Sequence, residues 1–287
     1  MVEVGGGLRG YRVEADDYVD GYEEGELAPG GAGQVLAPWP NRLRDGAFRF
    51  EGEPHQLPLT EPGQHNAIHG LVRWLPWRLA EQSEDAVAVE VVLHPQPGYP
   101  WRLLLRTEYA LGEGGLSVRH VAENLSDRSA PFGLGVHPYL KIPGVAVNDL
   151  ELCVPARTRL LLDGRLLPIG AARVAGSEFD YSQARKLGSA VLDLGFGDVV
   201  RDDDGRCVVI LSASDGRCVR IWADEAFHWW QLYTGETLTP ERRRRAVAIE
   251  PMTCPPDAFR SGRDLVVLQP GQVWEGVWGI EVAHGVR

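Results

Sequence analysis

The stretch RLLLRTEYALGEGGLSVRHV, residues 102–121, decides the fold class. Leu103, Leu105, Thr107, Tyr109 and Leu111 alternate with Arg106 and Glu108. That period of two belongs to a strand with one buried face. Gly112, Gly114 and Gly115 then break the chain, and Leu116 to Val121 resumes it, which reads as a β-hairpin. The same punctuation runs throughout: 34 glycines and 20 prolines are spread over 287 residues, too many breakers for long helices. Asp204-Gly205-Arg206-Cys207-Val208 is echoed by Asp215-Gly216-Arg217-Cys218-Val219. Each Asp-Gly suits a tight turn, and the two strands that follow read as neighbours in one sheet. Further strands are expected at 87–93, 229–233, 246–250, 265–268 and 273–282, and a single short helix at 178–187. No linker or composition break divides the chain. The expectation is one all-β domain over residues 1–287, a large antiparallel β-sandwich of two stacked sheets with minimal helix.

Composition narrows the function. With 29 basic against 40 acidic residues the formal charge is -11, which repels phosphate backbones and anionic lipid. No nucleic-acid or membrane partner is expected. The N-terminus carries Glu3 where a secretory signal carries positive charge, and no apolar run approaches membrane-spanning length, so a cytoplasmic location is expected. Cys153, Cys207, Cys218 and Cys254 form no Cys-x-x-Cys pair and read as reduced thiols. His65 and His69 are separated by four positions among helix breakers, so no metal site is expected. The basic run Arg242 to Arg245 follows Thr239-Pro240 and reads as a solvated turn. No phosphate-binding glycine loop is present.

What remains is a set of polar clusters interleaved with aromatics. Trp39 lies between Pro38 and Pro40, which stiffen the segment that presents Asn41 and Arg42. His65 to Gly70 is followed by Trp74 and Trp77, both of which read as core. His137 precedes Pro138 and Tyr139; Trp230, Gln231 and Tyr233 share one strand; Glu250 ends an apolar one. Singly, His137 could be a backbone-bonded strand end, Glu250 an exposed terminus and Arg42 a surface ion pair. Together they suit a sugar, because aromatic faces stack on pyranose C–H faces while Asn, Gln, Arg, Asp and His bond hydroxyls. A His and a Glu brought together are also a usable acid and base.

In these segments the sequence resembles the aldose 1-epimerase (galactose mutarotase) family. The resemblance runs from about Val4 to Val282 and is carried by Pro40-Asn41-Arg42-Leu43 with Asp45-Gly46, Asn66-Ala67-Ile68-His69-Gly70, Val136-His137-Pro138-Tyr139, Gln231-Leu232-Tyr233-Thr234-Gly235, and the stretch from Ile249 to Phe259. It implies the many-stranded supersandwich of that family and a cofactor-independent isomerase acting on a free aldohexose such as glucose or galactose. It also implies Glu250 as general base, His137 as general acid, and Arg42, His69, Asp193 and Gln231 as sugar-binding residues. Two departures mark a separate branch: Leu194 follows Asp193 where many members carry a His, and His137 sits in Gly-Val-His-Pro-Tyr. A hexose-6-phosphate mutarotase, an inert sugar-binding protein and a glycoside hydrolase using Glu250 with Asp193 are the alternatives. Met252 and Cys254 beside Glu250 read as packing.

Overall fold

In the computed structural model, which describes residues 1–284, strands Leu103–Gly112 and Gly115–Asn124 pair in register from Leu103 opposite Asn124 to Gly112 opposite Gly115. Leu103, Leu105, Thr107 and Tyr109 are all buried, and only Leu111, at the hairpin tip beyond the core, is exposed. This hairpin belongs to a nine-stranded sheet in the order Arg185–Lys186, Glu151–Cys153, Cys207–Ser212, Arg217–Ala223, Val273–His284, Gly115–Asn124, Leu103–Gly112, Ala86–Leu93 and Arg78–Gln82. A second sheet runs Pro168–Arg173, Ala156–Leu162, Asp193–Val199, Trp229–Tyr233, Val247–Met252, Gly135–Val136 and Val35–Leu36, with Tyr139–Leu140 as an eighth strand beside Val247–Met252. The pairings in both sheets are antiparallel. The expected all-β sandwich is therefore observed.

The main core lies between these sheets and takes side chains from both, among them Leu105, Val118 and Ile221 from the first and Phe196, Trp230 and Ile249 from the second. Strand alternation then settles where the polar residues go. Leu194 and Phe196, Trp230 and Leu232, Val247 and Ile249 point into the core. Their neighbours Asp193, Gln231 and Glu250 accordingly occupy the opposite face of the second sheet. Two small apolar clusters flank that face: Ala32, Tyr139, Ala246 and Ala248 on one side, Leu160, Trp229 and Met252 on the other.

Two local expectations need correction. Residues 178–187 form no helix; the α-helix among the described residues is Ala258–Ser261. Side-chain bonds to the backbone displace the helical ladder there: Asp180 accepts from Gly176 N, Ser182 N and Ser182 Oγ, and Ser177 Oγ accepts from Phe179 N. Arg185–Lys186 pairs instead with Glu151–Cys153. Of the two Asp-Gly turns, only Asp215-Gly216 closes a hairpin, between Cys207–Ser212 and Arg217–Ala223. Asp204-Gly205 carries the chain from one sheet to the other. The Arg242 to Arg245 turn is tied down by acids: Arg242 to Glu26 at 3.0 Å, Arg244 to Glu236 at 2.6 Å and Arg245 to Asp20 at 2.8 Å. All four cysteines are free, and no helix among the described residues is long and apolar enough to cross a membrane.

Candidate active site

All six residues singled out in the sequence line one cavity of about 430 Å³ on the outer face of the second sheet: Arg42, His69, His137, Asp193, Gln231 and Glu250. That size suits a small ligand. Register explains half of the convergence. Gln231 lies directly opposite Glu250, and Asp193 sits on the next strand opposite Tyr233, so the three share a face. Gln231 Nε2 donates to Asp193 Oδ1 at 2.7 Å. His137 follows the strand Gly135–Val136, which lies between Val247–Met252 and Val35–Leu36, and is held by two backbone bonds, its N–H to Gln34 O and its carbonyl from Gly33 N. Its ring stacks on Tyr139, with centroids 5.0 Å apart.

His137 Nε2 lies 3.3 Å from Glu250 Oε1. Glu250 is 1% exposed and His137 4%, and Glu250 Oε2 has no hydrogen-bond partner. Burial pushes the imidazole down to about 4 and pushes the Glu250 carboxyl well above the usual carboxylate range; Asp193 nearby adds to the latter and Arg42 opposes it. Burial thus disfavours charge on both members, and the 3.3 Å contact lets one proton be shared between them.

Asn41 and His69 lie beside His137, with the two imidazole centroids 5.5 Å apart and edge-on. Both adopt left-handed backbone conformations, φ 55° and 63°, which are uncommon outside glycine and here lock each other. His69 N–H donates to Asn41 O at 2.9 Å, and Asn41 N–H donates to His69 Nδ1 at 3.2 Å. With Nδ1 accepting, a neutral His69 carries its proton on Nε2. Burial first, then the neighbouring His137, Arg73 and Arg42, hold its pKa well below the usual histidine range. His69 is thus a neutral hydrogen-bond donor.

Arg42 is aimed by Glu61. Its Nε lies 3.1 and 3.0 Å from the two Glu61 oxygens and its Nη2 3.0 Å from Oε1, whereas Nη2 is 3.9 Å from Asp193 Oδ2. Asn66 Nδ2 donates to Glu61 in turn, at 2.9 Å. Burial raises the Asp193 pKa, while Arg42 and the Gln231 bond hold it down.

Sequence reasoning missed several lining residues. Glu61 stands alone in a turn with no periodicity to flag it. Arg73 lines the cavity and pairs with no carboxylate among the described residues. Trp77 is buried as expected, but Trp74 is 46% exposed at the cavity mouth, which corrects the core reading. Met252 and Cys254 are fully buried, in keeping with packing roles.

Comparison with known proteins agrees with this architecture. The family model for aldose 1-epimerase matches residues 1–281. The uncharacterized protein YihR of Escherichia coli K12 is 33% identical over 273 residues, covering 95% of this chain and 86% of its own. Among solved structures, a GalM/aldose epimerase homologue from C. elegans superposes with a TM-score of 0.87 at 18% identity, covering 99% of this chain and 94% of that one. Galactose 1-epimerase from Lactobacillus acidophilus NCFM gives 0.81 at 21% identity, covering 99% and 90%. With the sandwich, the outer-face cavity and the match along nearly its whole length, the chain belongs to the aldose 1-epimerase family.

Proposed function

We propose that the protein, residues 1–287 acting as one unit, is a cofactor-independent mutarotase that interconverts the α and β anomers of a free aldohexose such as glucose or galactose. The observation that carries this reading is the buried Glu250–His137 contact of 3.3 Å at a polar cavity. Glu250 takes the proton of the C1 hydroxyl through its unpartnered Oε2, and His137 gives a proton to the ring oxygen. The C1–O5 bond breaks and the aldehyde forms. Rotation about C1–C2 presents the other carbonyl face. Return of the two protons closes the ring as the opposite anomer.

The single proton of the pair is what this cycle needs. Ring opening requires it on His137 and leaves Glu250 protonated; reclosure reverses the placement. Burial favours the uncharged arrangement, whereas Arg42 and a hydroxyl donated to Glu250 favour the ionised one. The two states are thereby brought close in energy. Each positioned group contributes about 10²- to 10⁴-fold, and fixing the ring adds an orientation gain. Arg42, Asp193, Gln231 and the Nε2–H of His69 bond the remaining hydroxyls.

A 6-phosphorylated hexose is the second reading, favoured by Arg73, which lines the cavity without a carboxylate partner. Polarimetry of freshly dissolved α-D-glucose, α-D-galactose and glucose 6-phosphate tests both. Faster equilibration of a free sugar is expected. Acceleration confined to the phosphosugar would select the second reading, and release of phenol from an aryl glycoside would replace both with hydrolysis.

A further inference from the structure

Arg165 is not among the residues that line the active-site cavity, yet its guanidinium bonds the segment that carries Glu61. It lies in the turn between strands Ala156–Leu162 and Pro168–Arg173. Its Nε donates to Gln64 O at 2.9 Å. Its Nη2 meets His65 O, Asp45 Oδ1 at 2.8 Å and Asn66 Oδ1 at 3.2 Å. The segment is also closed on its own backbone: Glu61 N–H donates to Asn66 O, and Asn66 N–H to Glu61 O. A rigid planar fork can serve several fixed acceptors at once, which a single ammonium on a flexible stem does poorly.

Asn66 passes this hold to the site. It is fully buried, and its amide is fixed at both ends. Oδ1 accepts from Arg165, whereas Nδ2 donates to Glu61 Oε2 at 2.9 Å and to Arg165 O at 3.2 Å. A side-chain amide has one donating and one accepting end. With Arg165 on the accepting end, the donating end faces the Glu61 carboxylate; a reversed amide would set oxygen against oxygen. Glu61 in turn holds Arg42 through contacts of 3.0 to 3.1 Å. Arg165, Asn66, Glu61 and Arg42 are thus linked in series, and the series ends in the cavity wall.

We propose that Arg165 is a positioning residue for the sugar site, acting on Arg42 through Asn66 and Glu61. The kinetic consequence rests on the mutarotase reading, whereas the orientation of Arg42 does not. Glu250 and His137 contact each other and stand outside this chain of bonds. Loss of Arg165 is therefore expected to fall on KM and to spare kcat. Because it acts through Glu61, its effect is expected to vanish once Glu61 is gone.

The test is a cycle of Arg165→Ala, Glu61→Ala and the double variant, by polarimetry on the sugar that wild type equilibrates. A second readout is solvent exchange of the Arg42 Nε–H by arginine side-chain NMR, its resonance assigned by its absence in Arg42→Lys. Arg165→Ala is expected to raise KM about 3- to 30-fold with kcat within about twofold, and to speed the Arg42 exchange by about the same factor as KM. In the Glu61→Ala background it is expected to add nothing. Arg165→Lys keeps a cation beside Asp45 without the fork and is expected to move KM and exchange in the same direction, which serves if Arg165→Ala does not fold. An equal effect on KM with and without Glu61, or a loss confined to kcat, overturns the relay. Acceleration of no sugar by wild type refutes the mutarotase reading, and the exchange rate then decides alone. Faster Arg42 exchange in both Arg165 variants supports the positioning role; unchanged exchange in both overturns it.

Discussion

Removing Glu61 isolates the residue that aims Arg42. The guanidinium meets the Glu61 carboxylate through three N–O contacts of 3.0 to 3.1 Å, with side chains only 12% and 22% exposed. In Glu61→Ala the nearest carboxylate to Arg42 Nη2 becomes Asp193, now 3.9 Å away. Pairing with Asp193 would turn the guanidinium from the sugar and load the carboxylate that Gln231 otherwise holds. A hydrogen bond to a charged group contributes about 1.5–3 kcal/mol. Loss of one such bond to substrate lowers kcat/KM about 10- to 150-fold. Because the role proposed for Arg42 is to bind hydroxyls in reactant and transition state alike, the loss is expected chiefly in KM. Glu61→Gln keeps an acceptor for Nε and is expected to recover part of it. Polarimetric KM and kcat for wild type and both variants provide the assay. A KM for Glu61→Ala within twofold of wild type, or a Gln variant as impaired as the Ala one, would refute the positioning role.

The remaining predictions concern the same buried groups. Gly31 has φ +82°, and a Cβ there would stand 3.2 Å from His137 Cδ2. Gly31→Ala is therefore expected to cost about 1–3 kcal/mol of stability and to lower kcat, as denaturant melts and polarimetry would show; a variant of wild-type stability contradicts this. Since burial holds His137 down to about 4, the acid limb of kcat/KM is expected near pH 4, as the pair takes a second proton. An acid limb near 6.5 would mean an ordinary, solvated imidazole. His120, in the main sheet, accepts from Trp278 Nε1 at 2.9 Å and has Nδ1 2.8 Å from Thr107 Oγ1, and burial lowers its pKa to about 3. Below pH 6.5 the unfolded chain takes up a proton that the folded one refuses, so this stabilisation is complete above 6.5. It drains at about 1.4 kcal/mol per pH unit as pH falls toward 3. A urea midpoint constant from pH 7 to 5 would contradict that.

Strands were legible where alternation is strict. The hairpin of Leu103 to Asn124 could be read from period and breakers, because burial on one face leaves its imprint on every second residue. Residues 178–187 misled because their helical spacing competes with Ser177 and Asp180, whose side chains bond the backbone locally and win. The six polar residues were legible as local clusters, yet their convergence depends on register, Gln231 opposite Glu250 for instance, which no single segment encodes. Glu61 and Arg73 lie in irregular turns and gain meaning only from what crosses them. Trp74 and Trp77 share composition and neighbourhood but not burial. Three positions along a loop place one under the sheet and the other at the cavity mouth.

Glu250→Gln tests the central claim most directly. The amide keeps the size of the carboxyl and much of its hydrogen-bonding capacity, but it cannot accept the C1 hydroxyl proton. The measurement is kcat for anomer equilibration by polarimetry, paired with the denaturant midpoint of the same protein. The proton-sharing pair predicts a fall of about 10²- to 10⁴-fold in rate with a midpoint like that of wild type. A folded Glu250→Gln protein that equilibrates the sugar at the wild-type rate would contradict it.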